Sequence, residues 1–270
     1  MVACIPGGAA NVQDIYPLAP LQEGLLYHHM TAARDPYQQH ALFAFARRED
    51  LDAFALALQA VIESHDILRT SLVWDVLEQP LQVVWRQARL TVQEWQAGPG
   101  GHVAERLREH FDPQHNPLDI RQAPMLALAW AEDRANGRWI GLLRFHHLVN
   151  DATSTAVLLA EIAAHVQGRQ ASLAPAYAYR DYVARTRQGQ AAHKAFFEAG
   201  LGTVDEPTLA FELQERPGEH LDLQHASGLL EAELGQRLRT QVRQLGVSAA
   251  SLFHLCLLYT SDAADEEDSV

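Results

Sequence analysis

The chain has 270 residues, 48% of them hydrophobic and 20% charged, which suits one large domain or two lobes with cores of their own and excludes a disordered class. A formal net charge of -13 argues against a basic nucleic-acid-binding face, and the longest apolar run, Met125–Ala131, is too short to cross a membrane. Two cysteines, Cys4 and Cys256, cannot build a disulfide framework, and the opening MVACIPGGAA lacks the flank and apolar stretch of a secretory signal, so the cytoplasm is the expected location.

Residues 1–11 are small and Gly-rich and read as a loose arm. Pro17 and Pro20 delay any helix, and Pro20 suits a first turn, so a short helix is expected from Leu21 to about Met30. Leu42–Phe45 reads as a strand. Asp50 is placed to cap an amphipathic helix in which Leu51, Phe54, Leu58, Val61, Ile62 and His65 recur at helical spacing. Short strands are expected at Arg69–Trp74, Leu81–Trp85 and Leu90–Trp95, then a Gly-Pro break near residue 99 and a helix over Val103–His110.

Met125–Glu132 and Arg138–Phe145 are apolar runs joined through Asn136-Gly137, a strong hairpin signal. A helix is expected over Thr153–Val166 with Ala156, Leu159, Ala160 and Ala163 on one stripe. Further helices follow at Tyr179–Arg187 and Gln190–Gly200, strands at Leu209–Leu213 and Leu229–Leu234, a helix at Gly235–Leu245 and a Ser248-capped helix from Ala249 to Leu255. Interspersed strands and helices give a mixed α/β class. All basic residues except Lys194 are arginine, a bias that hints at a GC-rich, bacterial gene. Residues 256–270 end in an acidic run without a Gly or Pro stop and resemble translated adapter DNA, so they are expected to be non-native.

The segment that carries chemistry is Arg144-Phe145-His146-His147-Leu148-Val149-Asn150-Asp151-Ala152. Neighbouring side chains of an extended chain point to opposite faces, so one imidazole turns into the packed interior and the other across from it. That geometry argues against both histidines ligating one metal. Asp151 opens the following helix, where a carboxylate can accept backbone N–H groups or hold an arginine.

This segment resembles the HHxxxDG signature of the condensation domains of non-ribosomal peptide synthetases. YPLAPLQEGLLYHH (16–29) is similar to their first motif, SHDILRTSL (64–72) to RHExLRTxF, and YRDYVAR (179–185) to YxDY. The resemblance implies an α/β, chloramphenicol-acetyltransferase-like fold of two lobes: an N-terminal lobe over 12–188, an incomplete C-terminal lobe over 189–255, and a foreign tail over 256–270. It implies that His147 is the catalytic residue facing a tunnel, that His146 is structural, and that Asp151 pairs with Arg69 to brace the loop. The signature glycine is Ala152; if that position needs a positive φ, alanine costs about 1 kcal/mol there.

The implied reaction joins an acceptor aminoacyl thioester to a donor acyl or peptidyl thioester, with His147 as general base or as an orienting group. No metal and no directly bound cofactor are implied. The phosphopantetheine arms belong to donor and acceptor peptidyl carrier proteins, with a neighbouring adenylation domain as a further partner and neither nucleic acid nor membrane. Three alternatives stand beside this: an epimerisation domain, a dual condensation and epimerisation domain, and a catalytically silent recruitment module. The dual type carries an extra His-His near its start, to which His28 and His29 before Asp35-Pro36 are similar, one residue short of the pattern. A chain truncated as expected is itself inactive.

Overall fold

Met125–Ala131 is apolar at every position because the strand it builds is covered on both faces. A computed structural model describes residues 5–31, 35–75, 77–98, 101–205 and 228–267. In it β6 (Leu126–Asp133) pairs antiparallel with β7 (Arg138–His146) through the turn at Asn136-Gly137, as the hairpin signal predicts, with Gly137 at φ +59°. β2 (Gln38–Phe45) and β5 (Thr91–Glu94) complete a sheet ordered β2-β7-β6-β5, in which only β5 runs parallel to its neighbour.

Alternate side chains of the central hairpin go to two different cores. Leu126, Leu128, Leu143 and Phe145 join the larger one, with Phe54, Leu58, Val61 and Ile62 of α2 (Arg48–Ser64) and Leu158 and Ile162 of α4 (Ala152–Val166). Ala129, Ala131, Ile140 and Leu142 pack on the other face against Leu107 of α3 (Val103–His110) and Phe111 just beyond it. Leu58, Val61 and Ile62 are fully buried, worth about 1.5–3 kcal/mol each relative to exposure. A second, three-stranded sheet is ordered β1-β4-β3, from Val12–Pro17, Leu81–Trp85 and Thr70–Val73, and adds Leu72, Val83 and Trp85 to the larger core.

Several expectations need correction. β1 falls on residues read only as the stretch before the first helix; as an edge strand it tolerates Pro17, which cannot donate to a ladder. α1 spans Pro20–Thr31, with Pro20 in its first turn as expected. Asp50 does not cap α2: Arg47 stands at the cap, and Asp50, inside the first turn, accepts both Nε and Nη2 of Arg47 at 3.1 and 2.5 Å. In α4 the buried positions are Leu158, Ile162 and Ala164 rather than the expected stripe, because the helix is apolar nearly all round and its packing on α2 chooses the face. That face is fixed by His65 Nε2 against Glu161 Oε2 at 2.6 Å.

The chain divides into two compact units, 1–219 and 220–270. The first also holds α5 (Tyr179–Gln188) and α6 (Gln190–Leu201), both close to expectation. In the second, Leu229–Glu231 are exposed and not a strand, and α7 (Ala232–Leu245) begins where Glu233 meets the positive end of the helix. Ser248 caps α8 (Ala249–Glu267) by accepting the Ser251 N–H at 3.0 Å. The expected strand at Leu209–Leu213 lies outside the described residues.

Candidate active site

β7 ends at His146, whose side chain has no exposure. Its Nδ1 accepts the Leu148 N–H at 3.0 Å, so the ring hydrogen sits on Nε2, which donates to Asp35 Oδ2 at 2.8 Å. Asp35 also accepts Nδ1 of His29 at 2.7 Å and the Tyr37 N–H at 2.9 Å. Burial pushes the Asp35 carboxyl toward the neutral form, but the hydrogen bonds from His146, His29 and Tyr37 outweigh it and hold the group well below the usual carboxylate range.

His147 follows the end of β7, in the turn that leads to α4, and its ring has different partners. Its backbone N–H continues the ladder by donating to the Tyr37 carbonyl at 2.9 Å. Its ring is half-buried, and Nδ1 donates to the Asn150 carbonyl at 2.9 Å, which leaves Nε2 with a lone pair for a proton or an N–H donor. The two adjacent imidazoles are therefore held in opposite tautomers. The loop between them and α4 is secured at two more points. Buried Gln22 of α1 donates from Nε2 to the Leu148 carbonyl at 2.9 Å while its Oε1 accepts the Ala19 N–H and the Gln82 amide. Asn150 donates to Thr155 Oγ1 at 2.7 Å.

Asp151 and Arg69 do not form the expected pair. Asp151 is exposed and caps α4, accepting the Ser154 N–H at 2.7 Å, and this bond and the other helix N-terminal donors lower its pKa. Helix N-terminal amides thus supply what the arginine was expected to supply. Buried Arg69 instead donates Nη1 to Gln13 Oε1 at 2.8 Å and to the Trp85 carbonyl, beside β1 and β4. Ala152 is the first residue of α4 and has helical backbone, so no left-handed conformation penalises it.

His28 and His29 separate. His28 Nδ1 bonds the Tyr37 hydroxyl at 2.8 Å, and His29 joins Asp35 and His146, its ring edge-on to that of His146. Ligand atoms of His29, Asp35 and His146 lie within 4.8 Å of one another, close enough for a metal ion. The hydrogen on His146 Nε2 opposes that use, because the nitrogen aimed at the cluster has no lone pair to give. Asp35, Tyr37, Gln22 and Asn150 are the site residues that sequence reasoning missed. Gln22 lies inside the quoted first motif, Asn150 inside the His-His segment and Asp35 beside His28 and His29, but none was given a role; Asp35 joins through a contact remote in the chain and Tyr37 through backbone atoms.

A family model described as the condensation domain matches residues 12–260. Malpinin synthetase of Mortierella alpina is 41% identical over 259 residues, 94% of this chain. One of the linear gramicidin synthase polypeptides of Brevibacillus parabrevis is 28% identical over 254 residues, 90% of this chain. The chain spans 3% of the length of each. One source is a fungus and the other a bacterium, so the arginine bias does not fix a bacterial origin. Among solved structures, the condensation domain from the Monacolin K polyketide synthase superposes with a TM-score of 0.64 at 18% identity, covering 88% of this chain and 57% of that one. The epimerization domain from the third module of tyrocidine synthetase B gives 0.59 at 17%, covering 74% and 47%. These likenesses show the fold, the chloramphenicol-acetyltransferase-like α/β type expected from the sequence.

Proposed function

The chain belongs to the condensation-domain family, and from that premise we propose that it forms an amide bond between two carrier-bound thioesters, with His147 as the reacting residue. The observation that carries this reading is the half-buried His147 ring with Nδ1 committed to the Asn150 carbonyl and Nε2 left as an acceptor. The acceptor's α-amine attacks the donor thioester carbonyl. A C–N bond forms, the C–S bond breaks, the donor thiolate leaves and is protonated, and the amine proton passes to Nε2 or is held by it. A neutral imidazole suits an amine with a pKa of about 8, and general-base help is worth about 10²–10⁴-fold, with the rest supplied by holding two tethered reactants together.

His146 then stabilises the loop and takes no proton. His28 and His29 spend their Nδ1 atoms on Tyr37 and Asp35, and neither bonds His147, which favours structural roles over a second catalytic pair. The phosphopantetheine arms enter on donor and acceptor carrier proteins, next to an adenylation domain, in the cytoplasm. Among the described residues no single helix is long and apolar enough to cross a membrane. The test is a two-carrier assay in the synthetase module that contains this chain, with the acceptor-bound amide measured by mass spectrometry. His147→Ala should lower product formation by about 10²–10⁴-fold with both carriers loaded. Full turnover would move the weight to a silent module, and α-proton exchange with solvent without amide product would move it to epimerisation.

A further inference from the structure

We propose that Asp35 is a positioning residue for His147: one carboxylate, bonded to His29, to His146 and to the Tyr37 backbone, sets the direction in which His147 presents Nε2. This rests on the reading of His147 as the reacting residue. Asp35 Oδ1 accepts the Tyr37 N–H at 2.9 Å, and the Tyr37 carbonyl accepts the His147 N–H at 2.9 Å. Asp35 Oδ2 accepts His146 Nε2–H at 2.8 Å, and His146 Nδ1 accepts the Leu148 N–H at 3.0 Å. The backbone amides of His147 and Leu148 are thus each tied back to the same carboxylate, from the two sides of the turn. If the turn shifts, Nδ1 of His147 leaves the Asn150 carbonyl and the ring is free to take its other tautomer, with the hydrogen on Nε2 where an acceptor is needed.

Only a carboxylate serves here. Three N–H donors converge on two oxygens, and an asparagine would offer one oxygen and aim its own N–H₂ at a donor. The role of His29 follows: its Nδ1–H at 2.7 Å closes the remaining side of Oδ2. The carboxylate lies 111 residues from His146, so Asp35 acts on the site across a long separation in the chain.

The test has a spectroscopic arm and a kinetic arm. Histidine ¹⁵N spectra of the full chain should show His146 protonated at Nε2 and His147 protonated at Nδ1. In Asp35→Asn, folded by circular dichroism, His147 should become a mixture of tautomers. In the module, kcat should fall at least about tenfold while KM for the acceptor stays within about twofold, and Asp35→Glu should restore part of both. An unchanged His147 tautomer in folded Asp35→Asn, or an unchanged kcat, overturns the proposal. If Asp35→Asn does not fold, Asp35→Glu is read by the same two measures against wild type, with smaller shifts expected and the same overturning results. A wild-type module that makes no amide, with both tautomers as stated, counts against the proposed reaction and leaves the carboxylate's hold on the loop standing.

Discussion

The two ends of β7 are held by different means. At its start the turn is closed within a few residues: Asp133 accepts Asn136 Nδ2 at 2.9 and 3.0 Å and Arg138 Nε at 2.8 Å, and Gly137 takes the left-handed conformation. At its finish the loop is held by Asp35 and Gln22, which lie 111 and 126 residues away from their partners there. The first end is a property of six neighbouring letters. The second exists only once α1, β2 and β7 have come together, and that is the end where His147, the residue proposed to react, stands. Non-local support makes the loop precise at a cost in folding, because each remote contact must be closed against chain entropy.

Substitutions at the two ends should break or sharpen this contrast. The largest effect is expected at the far end: His147→Ala should lower amide formation by about 10²–10⁴-fold in the module while the melting temperature stays near wild type, whereas no change within 133–138 should touch turnover beyond its effect on folding. Gln22→Leu comes next. It strands the Ala19 N–H and the Leu148 carbonyl in a buried setting, while the Gln82 amide keeps its bond to the Pro17 carbonyl, and should cost about 2–4 kcal/mol by urea unfolding.

Asp35→Asn should cost about 2 kcal/mol at neutral pH, with a characteristic pH dependence. The folded pKa of Asp35 lies below its unfolded value, so its contribution is present above about pH 4 and is lost as pH falls toward the folded value. The stability gap between wild type and Asp35→Asn should therefore narrow on acidification below about pH 4; a gap that widens there would contradict the hydrogen-bonded carboxylate. The smallest effect belongs to the near end. Gly137→Ala places a side chain at φ +59° with open space around it, so only the backbone penalty of about 1 kcal/mol is expected. A much larger loss would mean that the hairpin is not the self-contained turn described.

The same contrast explains what could be read from the sequence. The hairpin, α2, α3, α5, α6 and the Ser248 cap were legible because periodicity and turn chemistry are local. So was the His-His segment, including the option that Asp151 accepts backbone N–H groups. β1 was not legible, since an edge strand ending in Pro17 carries no strong alternation. Leu229–Leu234 read as a strand because six apolar-rich residues fit either period, and the helix-forming run that follows decided otherwise. The Arg69–Asp151 pair came from resemblance, and the local alternative, capping of α4, is what the structure contains. Asp35 was visible only as a letter near His29; nothing in its neighbours announces a bond to residue 146.

β7 is hemmed in on both sides by unbroken pairing, from Gln38↔His146 to Phe45↔Trp139 on one flank and from Leu126↔Phe145 to Asp133↔Arg138 on the other, with no bulge to absorb a change in length. Losing one residue from its middle while the register holds would turn every later side chain to the opposite face. His147 would come to the position that His146 holds now, His146 would move back to the position of Phe145, and Leu148 would stand where His147 stands. In terms of the gene, a one-codon gain or loss between Trp139 and Phe145 displaces both histidines at once. Its length is inherited together with the chemistry at its end.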